Sequence, residues 1–229
     1  MYLYIGNEGS RDVTAMLIDA GTGVLSSAGN TRAHGPAFSE ALLGGTTVAN
    51  ATPTLAYTAN SVSNDVSAYT ITAATGALTA VGGSPFPTGA LGPQAVAIDP
   101  LSRFLFAADN GSNDLAAFTI DPATGILGTV AGSPFPAGTA PRSLTAEISG
   151  QFLYVVNATS GDIYAFRFDP IAGTLTPIGS PVAAGTSPSG VTTDPTGRFL
   201  YVTNRGSNNI SAFSINSGTG ALTIPPRAP

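Results

Sequence analysis

The sequence predicts an all-β chain, a β-propeller of about five four-stranded units with the first lacking its innermost strand. Three observations carry this reading. The same landmarks recur five times in the same order, turn-forming residues are abundant, and one strand of every unit is apolar on both faces. The 28 Gly and 18 Pro, set among many Thr, Ser and Ala residues, suit short strands joined by frequent turns. With 43% hydrophobic residues, the chain also has material for a sizeable core.

The register is fixed by a polar residue that ends the central apolar strand of each unit: Asn7, Asn60, Asp109, Asn157 and Asn204. Successive landmarks are 53, 49, 48 and 47 residues apart. Five residues beyond each stands Asp12, Asp65, Asp114, Asp162 or Asn209, and sixteen beyond stands Gly23, Gly76, Gly125, Gly173 or Gly220. Periods of this length are those in which four short strands make one propeller blade.

In the last unit the strands are predicted at 190–193, 199–203, 210–215 and around 221–224, with a first turn at Asp194-Pro195-Thr196-Gly197. An acidic side chain at that turn closes onto nearby amides while Pro and Gly shape the bend. The third strand repeats on both faces. Val13, Val66, Leu115, Ile163 and Ile210 share one face with Ala15, Ala68, Ala117, Ala165 and Ala212, and Met16, Tyr69, Phe118, Phe166 and Phe213 lie on the other. A strand apolar on both sides is covered on both sides, as stacked blades would do. The repeated Asp and Asn are expected to serve the rim turns first, because their side chains bond nearby backbone and bridge adjacent loops.

The chain divides into units of roughly 1–43, 44–92, 93–140, 141–187 and 188–229, forming a single propeller domain or a fragment of one, with innermost strands opening near Gly44, Pro93, Pro141 and Pro188. The first unit begins at what is the second strand elsewhere. The terminal residues 224–229 contain three prolines, which remove ladder donors, so they are not expected to supply the missing strand. Nineteen strands are thereby expected, with incomplete ends that invite self-association.

Composition excludes several functions. The chain has no cysteine and one histidine, His34, so disulfides, thiolate catalysis and multi-histidine metal centres are excluded, and no cofactor is expected. Charged residues make up 9%, with a net charge of −5, which gives nucleic acid no electrostatic support. The chain has no signal-peptide pattern at its start and no apolar run long enough to span a bilayer, so membrane insertion is not expected and localisation is left open. The glycines fall at turns rather than opening a helix after a parallel strand, and there is no Gly-x-Ser-x-Gly elbow.

The segments Tyr201-Val202-Thr203-Asn204 and Tyr154-Val155-Val156-Asn157, with Phe106-Ala107-Ala108-Asp109, Tyr57-Thr58-Ala59-Asn60 and Tyr4-Ile5-Gly6-Asn7, are similar to the motif of the YVTN-repeat proteins. The Ser-Pro-Phe-Pro connectors at 84–87 and 133–136 strengthen the likeness. Over nearly its whole length the chain resembles these and the related lactonase-like propellers of the 6-phosphogluconolactonase type. That resemblance implies seven blades where this sequence supplies five units. It implies sugar-lactone hydrolysis in the enzymes of the family, and surface or binding roles, at the cell surface or outside the cell, in other members.

In a propeller, the connector leading into the innermost strand and the loop between the second and third strands emerge on one face. That face gathers Gln94, Arg142, Ser189, Asp109, Asn157, Asn204 and Arg205. The first connector adds Arg32, His34 and Glu40, the most irregular part of the repeat. A catalytic set of His34, Arg142 and Glu40 would have His34 accept a proton from water while Arg32 or Arg142 stabilises the oxyanion. Glu8, Glu40 and Asp109 are further acid/base candidates, and no metal site is assigned. Arg32, Gln94, Asp109, Asn157, Asn204 and Arg205 form the candidate ligand-binding set. The leading function is a scaffold that binds a small molecule, glycan or protein through this loop-rich face. The alternatives are a metal-independent lactonase-like hydrolase of sugar lactones and a self-associating surface module.

Overall fold

The computed structural model describes residues 2–7, 12–18, 25–32, 37–43 and 54–224, with side chains for 12–16, 26–31 and 54–224. These residues form five antiparallel sheets. The first has three strands, β1 (Tyr2–Asn7), β2 (Asp12–Ile18) and β3 (Leu25–Arg32). The second runs β4 (Ala37–Leu43), β5 (Leu55–Asn60), β6 (Asp65–Ile71), β7 (Leu78–Ala80), with β8 (Phe86–Pro87) also on β6. The third repeats it as β9 (Pro93–Ile98), β10 (Phe104–Asp109), β11 (Asp114–Ile120), β12 (Leu127–Thr129) and β13 (Phe135–Pro136). The fourth is β14 (Pro141–Ala146), β15 (Phe152–Asn157), β16 (Asp162–Phe168), β17 (Leu175–Pro177) and β18 (Val182–Ala183). The fifth is β19 (Pro188–Thr193), β20 (Phe199–Asn204), β21 (Asn209–Ile215) and β22 (Leu222–Thr223). The innermost strands β4, β9, β14 and β19 lie side by side in chain order, with β1 beside β4. Among the described residues the first sheet has no innermost strand, as the sequence predicts.

The connectors add β8, β13 and β18 to the expected strands. Ser84-Pro85 and Ser133-Pro134 are cis peptides. The Ser84 and Ser133 hydroxyls accept from the Ala68 and Ala117 amides, each at 2.9 Å. These serines occupy the gap between the two halves of a split outer strand, because the chain breaks after β7 or β12 and returns to the same third strand as β8 or β13. Sheet one does this differently: β3 runs unbroken from opposite Ile18 to opposite Asp12, with a bulge between Ala15 and Met16.

Two expectations are corrected. The innermost strand of the second sheet is Ala37–Leu43, not a segment opening near Gly44, so the first unit ends before Ala37. The extra length of the longest repeat interval lies at 44–54, between β4 and β5, whereas the corresponding stretch of sheet three is only 99–103. Spacing counted back from the landmark therefore landed too late. In consequence Glu40 belongs to β4, opposite Thr58, and Arg32 ends the outermost strand of sheet one, opposite Asp12. Neither stands in a connector loop.

Packing between sheets follows the two-faced strand. Leu115 and Ala117 of sheet three join Leu153, Val155, Phe166 and Phe168 of sheet four in one cluster, while Ala116 and Phe118 join Tyr57 and Val66 of sheet two in another. Phe106 and Phe168 meet with ring centroids 5.5 Å apart in a tilted arrangement. The alternation of a small Ala with a large aromatic lets neighbouring faces interlock, as close-packed interiors require. The buried tyrosines carry a polar handle across the same interface. Tyr57 donates to the Gly125 carbonyl at 3.0 Å and Tyr154 to that of Gly220 at 2.9 Å, each reaching the following sheet. Burial disfavours ionisation and pushes the pKa of both hydroxyls well above the ordinary tyrosine value.

The predicted first turn of the last unit is present. Asp194 accepts the amides of Arg198 and Phe199, both at 2.7 Å. Hydrogen bonds from the Thr196 hydroxyl and from these amides lower its carboxyl below the usual range. Asp99 holds the same turn in sheet three, accepting from Phe104 at 2.8 Å.

Candidate functional site

The rim of each sheet is built from a hairpin and a connector. Asn60, Asn157 and Asn204 close the hairpins by donating Nδ2 to the facing Asp65, Asp162 and Asn209 at 2.7, 2.8 and 2.9 Å. Asn60 and Asn204 also donate to Ser67 and Ser211, both two residues further along the third strand. Asn204 additionally bridges to its connector, accepting from the Gly185 amide at 2.9 Å. The expected role in the rim turns is thus carried mainly side chain to side chain across the strand pair.

The connector is tied down at the residue before the innermost strand. Gly92, Ala140 and Ser187 all have positive φ, 67°, 58° and 48°. For Ala and Ser this is an uncommon conformation that needs holding in place. The Ala140 amide donates to Asn113 Oδ1 at 2.8 Å, and its carbonyl accepts from Ala158 at 2.8 Å. The next residues are prolines, and then each ladder skips a register: Asp109 faces Pro93 while Ala108 faces Ala95, Asn157 faces Pro141 while Val156 faces Ser143, and Asn204 faces Pro188 while Thr203 faces Gly190. The skipped residues are Gln94, Arg142 and Ser189. A bulge re-aims its extra side chain, so these three occupy equivalent displaced positions around the inner rim.

Arg142, Ser187, Ser189 and Arg205 line one pocket of about 310 Å³, together with Ala158, Thr159 and Gly206. Arg142 comes from the bulge of β14 and Arg205 from the hairpin after β20, so adjacent sheets supply the two guanidinium groups. A larger groove of about 650 Å³ shares Ala158, Thr159 and Ser187 with it, and runs over Ser160, Thr186, Ser207 and Asn209. The chemistry of the smaller pocket is that of an anion receptor: two planar cations with hydroxyls beside them suit a carboxylate, a phosphate or a developing oxyanion.

Of the sequence-predicted residues, the structure brings Arg142 and Arg205 together. Gln94 is half-buried at the β9 bulge. Asp109, Asn157 and Asn204 are sealed beneath the rim, at 0%, 0% and 2% exposure, rather than presented on it, which corrects their assignment as ligand contacts. The reason is the hairpin closure: their polar ends are turned to the facing strand. Arg32 and Glu40 lie on strands, as described above, and His34 and Glu8 fall outside the described residues. Sequence reasoning named Ser189 at the inner rim but did not assign Ser187 to the site. The signal was available in the residue preceding the Pro that opens the innermost strand, which sits in the same place in sheets three, four and five. Among the described residues no group of three or more acidic or histidine side chains is placed to hold a metal ion.

The family model described as the seven-bladed β-propeller lactonase matches residues 1–140, 50–187 and 135–228. Among curated proteins none matches. The fold is shared with the crystal structure of a putative 6-phosphogluconolactonase from Bacteroides uniformis, at TM-score 0.81 and 18% identity over 97% of this chain and 66% of that one. It is shared also with the periplasmic gluconolactonase of Pseudomonas aeruginosa, at TM-score 0.77 and 20% identity over 96% of this chain and 65% of that one. A protein from Lactobacillus plantarum is similar at TM-score 0.75 and 19% identity, over 96% and 66%. This chain therefore spans just under two thirds of the length of these solved relatives. With the repeat, the five stacked sheets and a match extending along the sequence, the chain belongs to the seven-bladed β-propeller lactonase family.

Proposed function

We propose that the chain belongs to a hydrolase of sugar lactones, binding an anionic sugar derivative at the Arg142–Arg205 pocket. The observation that carries this reading is the convergence of the two arginines, from adjacent sheets, on one rim pocket with Ser187 and Ser189. Family membership favours the hydrolase over a non-catalytic scaffold, and two of the solved relatives carry gluconolactonase names. In the reaction, water adds to the lactone carbonyl, the ring C–O bond breaks, and the ring oxygen takes up a proton to leave the open hydroxy acid. A guanidinium near the carbonyl stabilises the negative charge that builds on its oxygen, while the second holds a carboxylate or phosphate of the substrate. His34 remains the candidate that accepts the proton of the attacking water.

The test is hydrolysis of glucono-δ-lactone and its 6-phosphate by the full chain, measured above the spontaneous rate. Arg142→Ala and Arg205→Ala are each expected to lower kcat/KM by about 10²-fold, as loss of a charge-stabilising donor does. Turnover unchanged in the double variant would overturn the reading.

A further inference from the structure

The hairpin of sheet three departs from the other rims in one atom-level respect. Where Asn60, Asn157 and Asn204 offer an amide N–H to the facing side chain, β10 ends on Asp109, directly opposite Asp114. When both are ionised they are acceptors of like charge, and like charges directly opposed across a strand pair repel. Asp109 is fully buried, its Oδ2 accepting the Ala116 amide at 3.0 Å. Its Oδ1 has no partner, as is also true of Asn60 and Asn157. The orphan oxygen is thus shared by sheets two, three and four, whereas Asn204 of sheet five fills it with the Gly185 amide, and among these rims the missing donor is peculiar to sheet three. A proton on Asp109 restores that donor.

This hairpin holds the segment that leads to Arg142. Asn113 donates its amide to the Asp109 carbonyl at 3.0 Å, closing the loop over the Asp pair. From that loop, the Asn113 carbonyl accepts from Ala137 at 3.0 Å and its Oδ1 from Ala140 at 2.8 Å, while Asn110 Nδ2 donates to the Pro141 carbonyl at 3.2 Å. The left-handed Ala140, Pro141 and the bulge that aims Arg142 therefore hang on residues 110–113.

We propose that Asp109 is a proton-dependent positioning residue for the anion site: protonated, it closes the hairpin onto Asp114 and holds Arg142 in place, and ionised, it opens the brace by repulsion. The inference rests on the reading of the Arg142–Arg205 pocket given above. Burial, then the Asp114 charge, raise the Asp109 carboxyl to about 7, and burial raises Asp114 as well. The charged groups on the packed elements are Asp114 on β11, Asp65 on β6 of the preceding sheet and Arg142 on β14 of the following one. Residues 88–92, 93–98 and 110–113 contribute no ionisable side chain, and Thr88 supplies a hydroxyl that favours the ionised form. The sign follows from linkage. An unfolded Asp titrates near pH ~4, so between about 4 and 7 the folded chain holds one proton more than the unfolded. The brace is intact below that window's upper edge and is lost as pH rises through about 7.

Binding of D-gluconate to the full chain, measured calorimetrically at pH 5.5 and 8.5, tests this, because the ligand carboxylate and both guanidinium groups keep their charge across that range. Wild-type affinity is expected to fall about tenfold from the lower to the higher pH. Asp109→Asn, which copies the other rims, should bind at both pH values as the wild type does at pH 5.5, and its Tm should lose the decline that the wild type shows over the same range. Identical pH profiles for the two proteins overturn the inference. Arg142→Ala with undiminished binding overturns the anion-site reading instead, and in that event the Tm comparison still decides whether Asp109 closes the hairpin by its proton.

Discussion

Sheets four and five carry the same motif and end in different surroundings. Tyr154 and Ile163 of sheet four are fully buried, whereas their counterparts Tyr201 and Ile210 are 39% and 67% exposed. Tyr154 reaches the Gly220 carbonyl of the next sheet, and the described residues place no sheet beyond Tyr201 to offer an equivalent. The opposite faces do not differ in this way: Phe166 and Phe213 are both buried, each against the sheet before it. The same residues thus earn burial only from a neighbour. A blade's forward face is half of an interface, and its stabilisation belongs to the pair of sheets rather than to the strand.

That contrast gives three ways to test it by denaturant unfolding, in order of expected effect. Phe166→Ala should cost about 3–5 kcal/mol, since it empties a filled space between sheets three and four. Ile210→Ala, on the uncovered face, should stay within about 0.5 kcal/mol. Comparable losses would mean that the face of sheet five is covered in solution. Next, Gly173→Ala is expected to cost about 1–3 kcal/mol more than Gly179→Ala. Both glycines have positive φ, but a Cβ at Gly173 would come within 2.5 Å of the Phe104 ring while one at Gly179 meets nothing within 4 Å. Equal effects would remove close sheet-to-sheet approach as the reason for that glycine. Smallest is the hydroxyl: Tyr154→Phe should cost about 1 kcal/mol by stranding the Gly220 carbonyl, and Tyr201→Phe close to nothing. A loss at Tyr201 would reveal a partner for it.

Much of the fold was legible because the repeat is local chemistry written five times. The Asp194 turn, the small Ala opposite the aromatic and the glycines before the outer strands each follow from residue type and spacing. The boundary before β4 was misread because insertion length is assigned by pairing: the same residue count fits an enlarged connector or an enlarged β4–β5 loop. The site was legible in part. Arg142 and Arg205 were named for their place on the loop-rich face, but their meeting depends on a bulge, and a bulge is a relation between two strands. Asp109, Asn157 and Asn204 looked like surface polar groups, since nothing in a lone strand tells whether its terminal side chain turns outward or across to the next strand.

The sequence by itself determined the all-β class, the repeat and the turn chemistry, because each depends on residues close together in the chain. Only the tertiary structure decided which apolar faces are covered, where the longest insertion falls, and that two arginines 63 positions apart share one pocket while a third rim sets a buried carboxyl opposite a half-buried one. Those are contacts between sheets and across strand pairs, set by which neighbour is brought to each face.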